Sequence, residues 1–440
     1  MTTRTGTADE KCPNGRAMFK LCVPLLITSL VMVAYVRSWT SIQVVAQERP
    51  IFKSQQDHPH TTDFDTTIWP PMKRVLCSEG APNPQLFSLL FRLARTEVFE
   101  KGVGEPSGPG QRPFRPTLQP PLKNETAFGD HNNMGENRYD LVKNFFSGTF
   151  WPKTKFFTGR DENGKKFRTM YIVIYKCANN QIRHMENIVA RRLGLVRRKL
   201  DFIKVIAKHS PPLCMYTAVR DPISHFLSGY NEVEYRIATG SNGGAPIKLA
   251  PYHFRVPWHE SNSSHGLRRK PRYDKSKSSP EVRRKRFQAL VEDLLLEEPL
   301  LLEDPSFNQV YHHFFPMSRV VSALATHGVA LTGYIPTLAN ITSTWPAFMS
   351  STCPGYPTKE TIENIFKNES NVKLLNGGHE SALDKMGFYE AAKEVWREGG
   401  PIARALCLLH AFDYACFEDL PEGIPELCRV VYGEYSDKIA

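Results

Sequence analysis

The sequence lacks any pair of cysteines spaced as CxxC and any cysteine–histidine spacing typical of zinc ligands, although its 440 residues include nine cysteines. This absence argues against a structural zinc domain. The sequence also lacks an internal repeat, which argues against a solenoid or a propeller. A chain of this length without repeats can form one large domain or two medium ones.

Charged residues are missing from residues 21–36, an apolar run between Lys20 and Arg37. As a helix this run spans roughly 24 Å, which suits a thin early-secretory bilayer. Basic residues precede the run, so we expect a cytoplasmic tail over 1–20 and an uncleaved transmembrane signal anchor over 21–36. A cleaved signal peptide is the alternative, because residues 44–46 resemble a small-residue cleavage site. Under both hypotheses the rest of the chain is lumenal or extracellular.

Two further features agree with that compartment. Four Asn-x-Ser/Thr sequons mark possible glycosylation sites at Asn124, Asn262, Asn340 and Asn368. Seven of the nine cysteines follow the apolar run. Because seven is odd, at least one of these cysteines is free or intermolecular, and the spacing leaves the pairing open.

Composition divides the remaining chain into three parts. Residues 37–138 are interrupted by many prolines and predict a stem, although 85–99 has the apolar spacing of a helix, either within the stem or packed on the domain. Residues 139–440 predict a lumenal domain. Within it, 265–290 carries ten Lys/Arg against two acidic residues, which supplies +8 of the net charge of +11. This basic insertion is either a solvated loop or a patch that attracts a polyanion, and the compartment disfavours nucleic acid.

Apolar runs alternate with amphipathic stretches in the first half of this domain. Strands are predicted over 170–175, 202–207 and 214–219, and helices after 181 and from Pro222, which follows an N-capping Asp221. This order predicts an α/β domain with a central, mainly parallel sheet. Ligands of such sheets bind at the carboxyl ends of the strands, where Lys176 and Arg220 stand.

The turn after the first strand has the residues of an anion site. Lys176 supplies a charge, and the small residues Cys177, Ala178 and Asn179 would let a phosphate approach the free N–H groups at a helix N-terminus. The structural alternative is a lysine that reaches solvent beside an N-capping Asn179. Arg220 offers a second cation, and Ser228, eight residues on, falls outside the apolar stripe of its helix. Together they predict one ligand with two phosphate-like groups.

Both segments resemble the Golgi membrane-anchored carbohydrate sulfotransferases. "YKCANNQI" (175–182) resembles their 5′-phosphosulfate loop, and "VRDPISHFLSGY" (219–230) their 3′-phosphate motif, in which an arginine and a serine eight positions later hold that phosphate. Weaker similarity continues in "YHHFFPMS" (311–318), "YIPTLANITSTW" (334–345) and "ALCLLHAFDYACF" (405–417). The first loop departs from the family pattern, because amides stand where a Gly, Ser or Thr usually follows the lysine.

The resemblance implies a P-loop-like three-layer fold and sulfuryl transfer from 3′-phosphoadenosine 5′-phosphosulfate (PAPS) to a glycan hydroxyl. No metal is then required. It implies a type II, single-pass Golgi membrane protein, bound to the membrane through 21–36, with no nucleic-acid partner and with an acidic glycan as one possible acceptor. The implied donor-binding residues are Lys176, Cys177, Ala178, Asn179, Asn180, Gln181, Arg220 and Ser228. Lys176 would also stabilise the leaving oxygen.

The base that takes the acceptor proton is assigned to His209, which follows the predicted strand 202–207, with Glu186 as the second choice. A Golgi glycosyltransferase that uses a nucleotide sugar is an alternative function, and a lumenal glycan-binding protein without catalytic activity is another. The glycosyltransferase would need a DxD motif after a strand, whereas Asp63-Phe-Asp65 stands in the predicted stem. "GRDENGKK" (159–166) imitates a P-loop without its Ser/Thr and instead predicts a hairpin turn.

Overall fold

The computed structural model describes residues 64–78, 80–101, 154–161, 163–198, 213–239, 249–258, 278–296, 310–369 and 386–439. The strands in these ranges are β1 (Cys77–Ser78), β2 (Ala81–Pro82), β3 (Thr154–Arg160), β4 (Lys166–Ile172), β5 (Val196–Arg198), β6 (Leu213–Ala218) and β7 (Gly333–Ile335). The α-helices are α1 (Trp69–Leu76), α2 (Phe87–Thr96), α3 (Asn179–Arg192), α4 (Pro222–Thr239), α5 (Tyr252–Arg255), α6 (Pro280–Leu295), α7 (Ser318–Ala325), α8 (Ile341–Thr352), α9 (Lys359–Lys367), α10 (Phe388–Arg397), α11 (Pro401–Leu409), α12 (Ala411–Cys416) and α13 (Glu426–Ile439).

Five of the strands form a mixed sheet in the order β5-β3-β4-β6-β7. β4 pairs parallel with β6, and β6 pairs parallel with β7. β3 pairs antiparallel with both β4 and β5. The α/β class is therefore confirmed. The expectation of a mainly parallel sheet is wrong for the described strands, because half of these four pairings are antiparallel.

The antiparallel part arises from the hairpin between β3 and β4. Asp161 closes its turn: its carboxylate accepts hydrogen bonds from the backbone N–H groups of Asn163 and Lys165, at 3.0 and 2.8 Å. The predicted hairpin turn is thus confirmed. β3, the strand that precedes the turn, was not predicted from the sequence. It runs antiparallel to β4 and β5 and so makes the sheet mixed.

The two predicted helices that follow β4 and β6 are present as α3 and α4. α4 begins at Pro222, and the Asp221 carboxylate accepts a hydrogen bond from the Ser224 N–H at 2.6 Å, as its N-cap role predicts. Its apolar stripe is buried, comprising Ile223, Phe226, Leu227 and Tyr230. The predicted strand 202–207 lies outside the described residues.

Residues 64–101 are part of the folded domain, so the predicted stem boundaries are wrong for this segment. The buried faces of α1 and α2 belong to the same hydrophobic core as the sheet. A disulfide joins Cys77 to Cys416, and the buried Glu97 carboxylate accepts hydrogen bonds from Arg404 and Tyr435. The helical spacing noted over 85–99 is present as α2, and of its two expected placements the one packed on the domain is found.

The prediction that at least one of the seven cysteines beyond residue 36 has no intramolecular disulfide partner is confirmed. Disulfides also join Cys214 to Cys353 and Cys407 to Cys428, which leaves Cys177 as the free cysteine beyond residue 36. The described ranges contain no helix long and apolar enough to cross a membrane. The predicted anchor, 21–36, lies outside those ranges.

Candidate anion-binding site

The loop between β4 and α3 has an unusual backbone. Lys176 and Ala178 adopt left-handed conformations, with φ of 64° and 49°. Side-chain-bearing residues adopt this region rarely, and such strain is concentrated at functional sites. Ala178, rather than Asn179, occupies the N-cap position of α3, and it has no side-chain cap. The first N–H groups of the helix, at Asn179, Asn180 and Gln181, therefore lack partners within the helix.

The α4 segment holds this loop in place. Arg220 Nη1 lies 3.4 Å from the carbonyl oxygen of Lys176 and 3.4 Å from Ser228 Oγ. His225 Nε2 donates a hydrogen bond to the Tyr175 carbonyl at 2.9 Å. Burial lowers the pKa of His225 to about 3, so this imidazole is neutral. The structure thus brings together the two sequence segments that carry Lys176, Arg220 and Ser228, as predicted.

The side chains of 177–181 divide between core and surface. Cys177 is fully buried, with Sγ 3.6 Å from Met317 Sδ, and burial raises the pKa of its thiol to about 12. Its predicted contribution to a donor site is therefore limited to the backbone. Gln181 is buried, whereas Asn180 is exposed. Asn179 Oδ1 is buried and has no hydrogen-bond partner among the described residues.

A polar stripe on α4 completes the site, and the sequence analysis missed two of its three residues. Ser228, Glu232 and Arg236 follow at intervals of four and so share one face of the helix. Lys176 Nζ lies 2.8 Å from Glu232 Oε2, and Arg236 Nε lies 2.6 Å from Glu232 Oε1. Burial alone would raise the pKa of Glu232, but the charges of Lys176 and Arg236 and the Lys176 hydrogen bond act together against it and lower the pKa to about 2. Glu232 is therefore an anion that orients both cations.

His313 lies beside this ion pair because α4 approaches the 3₁₀ turn Tyr311–Phe314 very closely. The approach requires a glycine: a Cβ at Gly229 would lie 2.1 Å from the His313 carbonyl oxygen. His313 Nδ1 donates to the Val310 carbonyl at 2.8 Å, which leaves Nε2 without a proton in the neutral ring. Burial lowers the pKa of His313 to about 3, despite the nearby charge of Glu232.

Glu186, the second choice for a base, belongs to the core between α3 and the sheet. Its Oε1 accepts a hydrogen bond from Tyr216 at 2.7 Å, and Tyr216 accepts one from Trp345 Nε1 at 3.2 Å. Burial raises the pKa of Glu186 to about 8. These contacts give Glu186 a structural role and do not support its assignment as the base. The first choice, His209, lies outside the described residues.

The basic insertion is only partly a surface feature. Residues 265–277 lie outside the described ranges, but Arg283 and Arg286 are buried in α6. Arg286 pairs with Glu234 at 2.9 Å, and Trp258 Nε1 donates to the same carboxylate at 2.8 Å. These two arginines cannot contact an acceptor, so any polyanion patch in this stretch excludes them.

Cations rather than metal ligands dominate the site. In the part of the chain that the structure describes, no group of three or more His, Cys, Asp and Glu side chains is placed to hold a metal ion. Asp65, from the DxD-like sequence, forms an ion pair with Arg429 at 2.7 Å. The site combines a lysine, an arginine, a serine hydroxyl and the N-terminus of a helix, a set that suits an anionic ligand with two charged groups.

Comparison with known proteins adds no further assignment, because no family model, curated protein or solved structure matches this chain.

Proposed function

We propose that this protein transfers a sulfuryl group from PAPS to a hydroxyl of a glycan acceptor in the Golgi lumen. The observation that carries the proposal is the position of the Arg220 guanidinium, 3.4 Å from both the Lys176 carbonyl and the Ser228 hydroxyl. It makes the ends of β4 and β6, two neighbouring parallel strands, into a single site. The finer assignments, a P-loop-like three-layer arrangement and a type II anchor over 21–36, are part of the same proposal.

The two cationic centres match the two charged ends of such a donor. Arg220 and Ser228 would hold the 3′-phosphate through charge-assisted hydrogen bonds. Lys176 and the N–H groups at the start of α3 would hold the 5′-phosphosulfate. The left-handed backbone at Lys176 and Ala178 supports this assignment, since it turns the chain sharply from the strand into the helix.

In the proposed reaction the acceptor oxygen forms a bond to sulfur while the bond from sulfur to the 5′-phosphate oxygen breaks. The electron pair of the broken bond remains on the phosphate oxygen, where the Lys176 ammonium stabilises the charge that develops. The acceptor proton goes to a base. Positioning of the two substrates supplies much of the remaining acceleration.

We assign the base among the described residues to Glu232. Without donor, its Oε2 is paired with Lys176. When the ammonium turns to the sulfate, Oε2 loses its main opposing charge and its pKa rises, so it can accept the acceptor proton. Arg236 keeps the carboxylate oriented through Oε1. His209 remains a prediction for the same role.

Three disulfides and two exposed sequon residues support a lumenal site for this reaction. Intramolecular disulfides are typical of oxidising compartments. Asn340 and Asn368 are both exposed, so a glycan can be attached at either.

The test is transfer of radiolabelled sulfate from PAPS to a panel of neutral and acidic glycans by the purified protein. We expect label on one acceptor class, and a loss of about a hundredfold in turnover for folded Lys176→Ala. Lys359→Ala, an exposed lysine on α9 outside the basic insertion, is the control. Transfer from a nucleotide sugar instead, or glycan binding without transfer from either donor, would reject the proposal in favour of a glycosyltransferase or a glycan-binding protein.

A further inference from the structure

A second, basic cleft lies between α3 and the edge of the sheet formed by β3 and β5. Its volume is about 310 Å³, and it is lined by Phe157, Asn187, Ala190, Arg191, Leu195 and Arg197. Ligand sites typically have volumes of about 300–1,000 Å³. The cleft is therefore large enough for part of an oligosaccharide.

The strand register explains why cations surround this cleft. Phe157 pairs with Arg197, and Lys155 lies two residues before Phe157, so all three point to the face that α3 covers. On α3, Arg183, Asn187 and Arg191 follow at intervals of four and form one stripe. Burial raises the pKa of Glu186, and the positive charges of Lys155, Arg183 and Arg197 act against that rise, in agreement with their position on this side of the helix.

The described residues offer the arginines on this side of α3 no ion-pair partner. Within the described ranges, Arg183, Arg191 and Arg197 form no ion pair, whereas the adjacent Arg192 pairs with Glu369 at 2.7 Å. Arg191 and Arg197 are exposed. Unpaired guanidinium groups beside an apolar floor offer a planar fork of donors to a carboxylate or sulfate group.

The cleft is separate from the anion-binding loop. Lys176 precedes the first turn of α3, whereas Arg191 lies in its last turn. A helix rises roughly 1.5 Å per residue, so about 20 Å separates the two ends of α3. A mononucleotide held at Lys176 and Arg220 cannot fill both places.

We propose that this cleft binds an acidic oligosaccharide, through sulfate or carboxylate groups held by Arg191 and Arg197. Glycan is favoured over nucleic acid because the three disulfides indicate an oxidising compartment, where acidic polysaccharides occur. Asn187, at the centre of the arginine stripe, supplies donors and an acceptor for sugar hydroxyls. The site does not depend on the proposed transfer activity, because binding here requires no donor.

The test is calorimetry of the full-length protein with a heparin hexasaccharide, in the absence of any nucleotide. Arg191→Ala/Arg197→Ala should weaken binding about tenfold, since two exposed charge contacts are lost. Asn187→Ala should weaken binding by less than the double arginine variant, because it removes hydrogen bonds to sugar hydroxyls but no charge. All variants should bind adenosine 3′,5′-bisphosphate as the unaltered protein does, which separates this site from the proposed donor site.

Arg397→Ala/Lys438→Ala is the matched control, because it removes two exposed positive charges from α10 and α13. Equal losses of hexasaccharide affinity in the control and the cleft variant would overturn the proposal and leave only non-specific attraction. Unchanged affinity in the cleft variant would also overturn it, since the arginines would then serve only to keep the sheet edge soluble. Tighter, arginine-dependent binding of a single-stranded oligonucleotide would assign the cleft to nucleic acid instead.

Discussion

Replacing Glu232 with glutamine separates the two roles that we assign to this residue, which are to orient Lys176 and Arg236 and to accept the proton of the acceptor. The substitution removes the charge that pairs with Lys176 at 2.8 Å and with Arg236 at 2.6 Å, but it keeps a carbonyl oxygen that can accept the Arg236 hydrogen bond. Because both cations are partly exposed, at 21 and 29 % of the side chain, we expect a loss of only about 1–2 kcal/mol in the free energy of unfolding. The variant should therefore fold.

Glu232→Gln should lower kcat by about a hundredfold or more, which is the usual contribution of a positioned base. Donor affinity should not fall, because Lys176 is released from its carboxylate partner and stays available to the sulfate. Initial rates at saturating acceptor give kcat, and calorimetry with adenosine 3′,5′-bisphosphate gives the affinity. Glu281→Gln, an exposed carboxyl on α6, is the control.

Normal kcat in folded Glu232→Gln would refute the assignment of the base and would favour His209 or His313. Equal losses of kcat and of donor affinity would indicate that Glu232 acts only by positioning Lys176.

Two further predictions concern the core. Burial raises the pKa of Glu186 to about 8, so the folded state holds this proton more tightly than the unfolded state does. The associated stability is present below pH 4.5 and is lost as the pH rises towards 8, at up to about 1.4 kcal/mol per pH unit. Urea unfolding across that range should show a smaller decline for Glu186→Gln. Arg286→Met leaves the Glu234 carboxylate buried without its cation and should lower the free energy of unfolding by about 3–5 kcal/mol. The control is Lys285→Met, which replaces a side chain that is 60 % exposed and should change stability little. Thermal and urea unfolding measure both effects.

The sequence predicted the parts of the fold that are specified locally. The Asp221-Pro222 start signal located α4, and the buried run 170–175 predicted β4, because burial and capping are recorded in neighbouring residues. The observed strand, Lys166–Ile172, begins four residues and ends three residues earlier than predicted. β3 was missed because Thr154–Arg160 alternates weakly, contains a glycine and the charged residues Lys155 and Arg160, and is stabilised mainly by pairing with strands on both sides. Segment 64–101 was assigned to a stem because its stabilising partners, the helices near Cys416 and Arg404, are distant in the sequence.

In the candidate site, too, the residues marked by local sequence signals were predicted and the others were missed. Lys176, Arg220 and Ser228 were found because each follows a strand or a capping signal in its own segment. Glu232 and Arg236 were missed, although the sequence contains the signal: successive intervals of four residues from Ser228 place both on the same helical face. His313 could not have been placed in this way, since it reaches the site only through the close approach of its segment to Gly229.

Binding of adenosine 3′,5′-bisphosphate tests the central claim most directly, because it depends on the juxtaposition of Arg220, Ser228 and the Lys176 loop. The measurement is titration calorimetry of the unaltered protein and of Arg220→Ala, with near-native unfolding of the variant as a control. We predict saturable one-to-one binding that weakens by about 2 kcal/mol in Arg220→Ala, as expected for a lost charge-assisted phosphate contact. Failure of the unaltered protein to bind, or equal affinity in both proteins, would contradict the account.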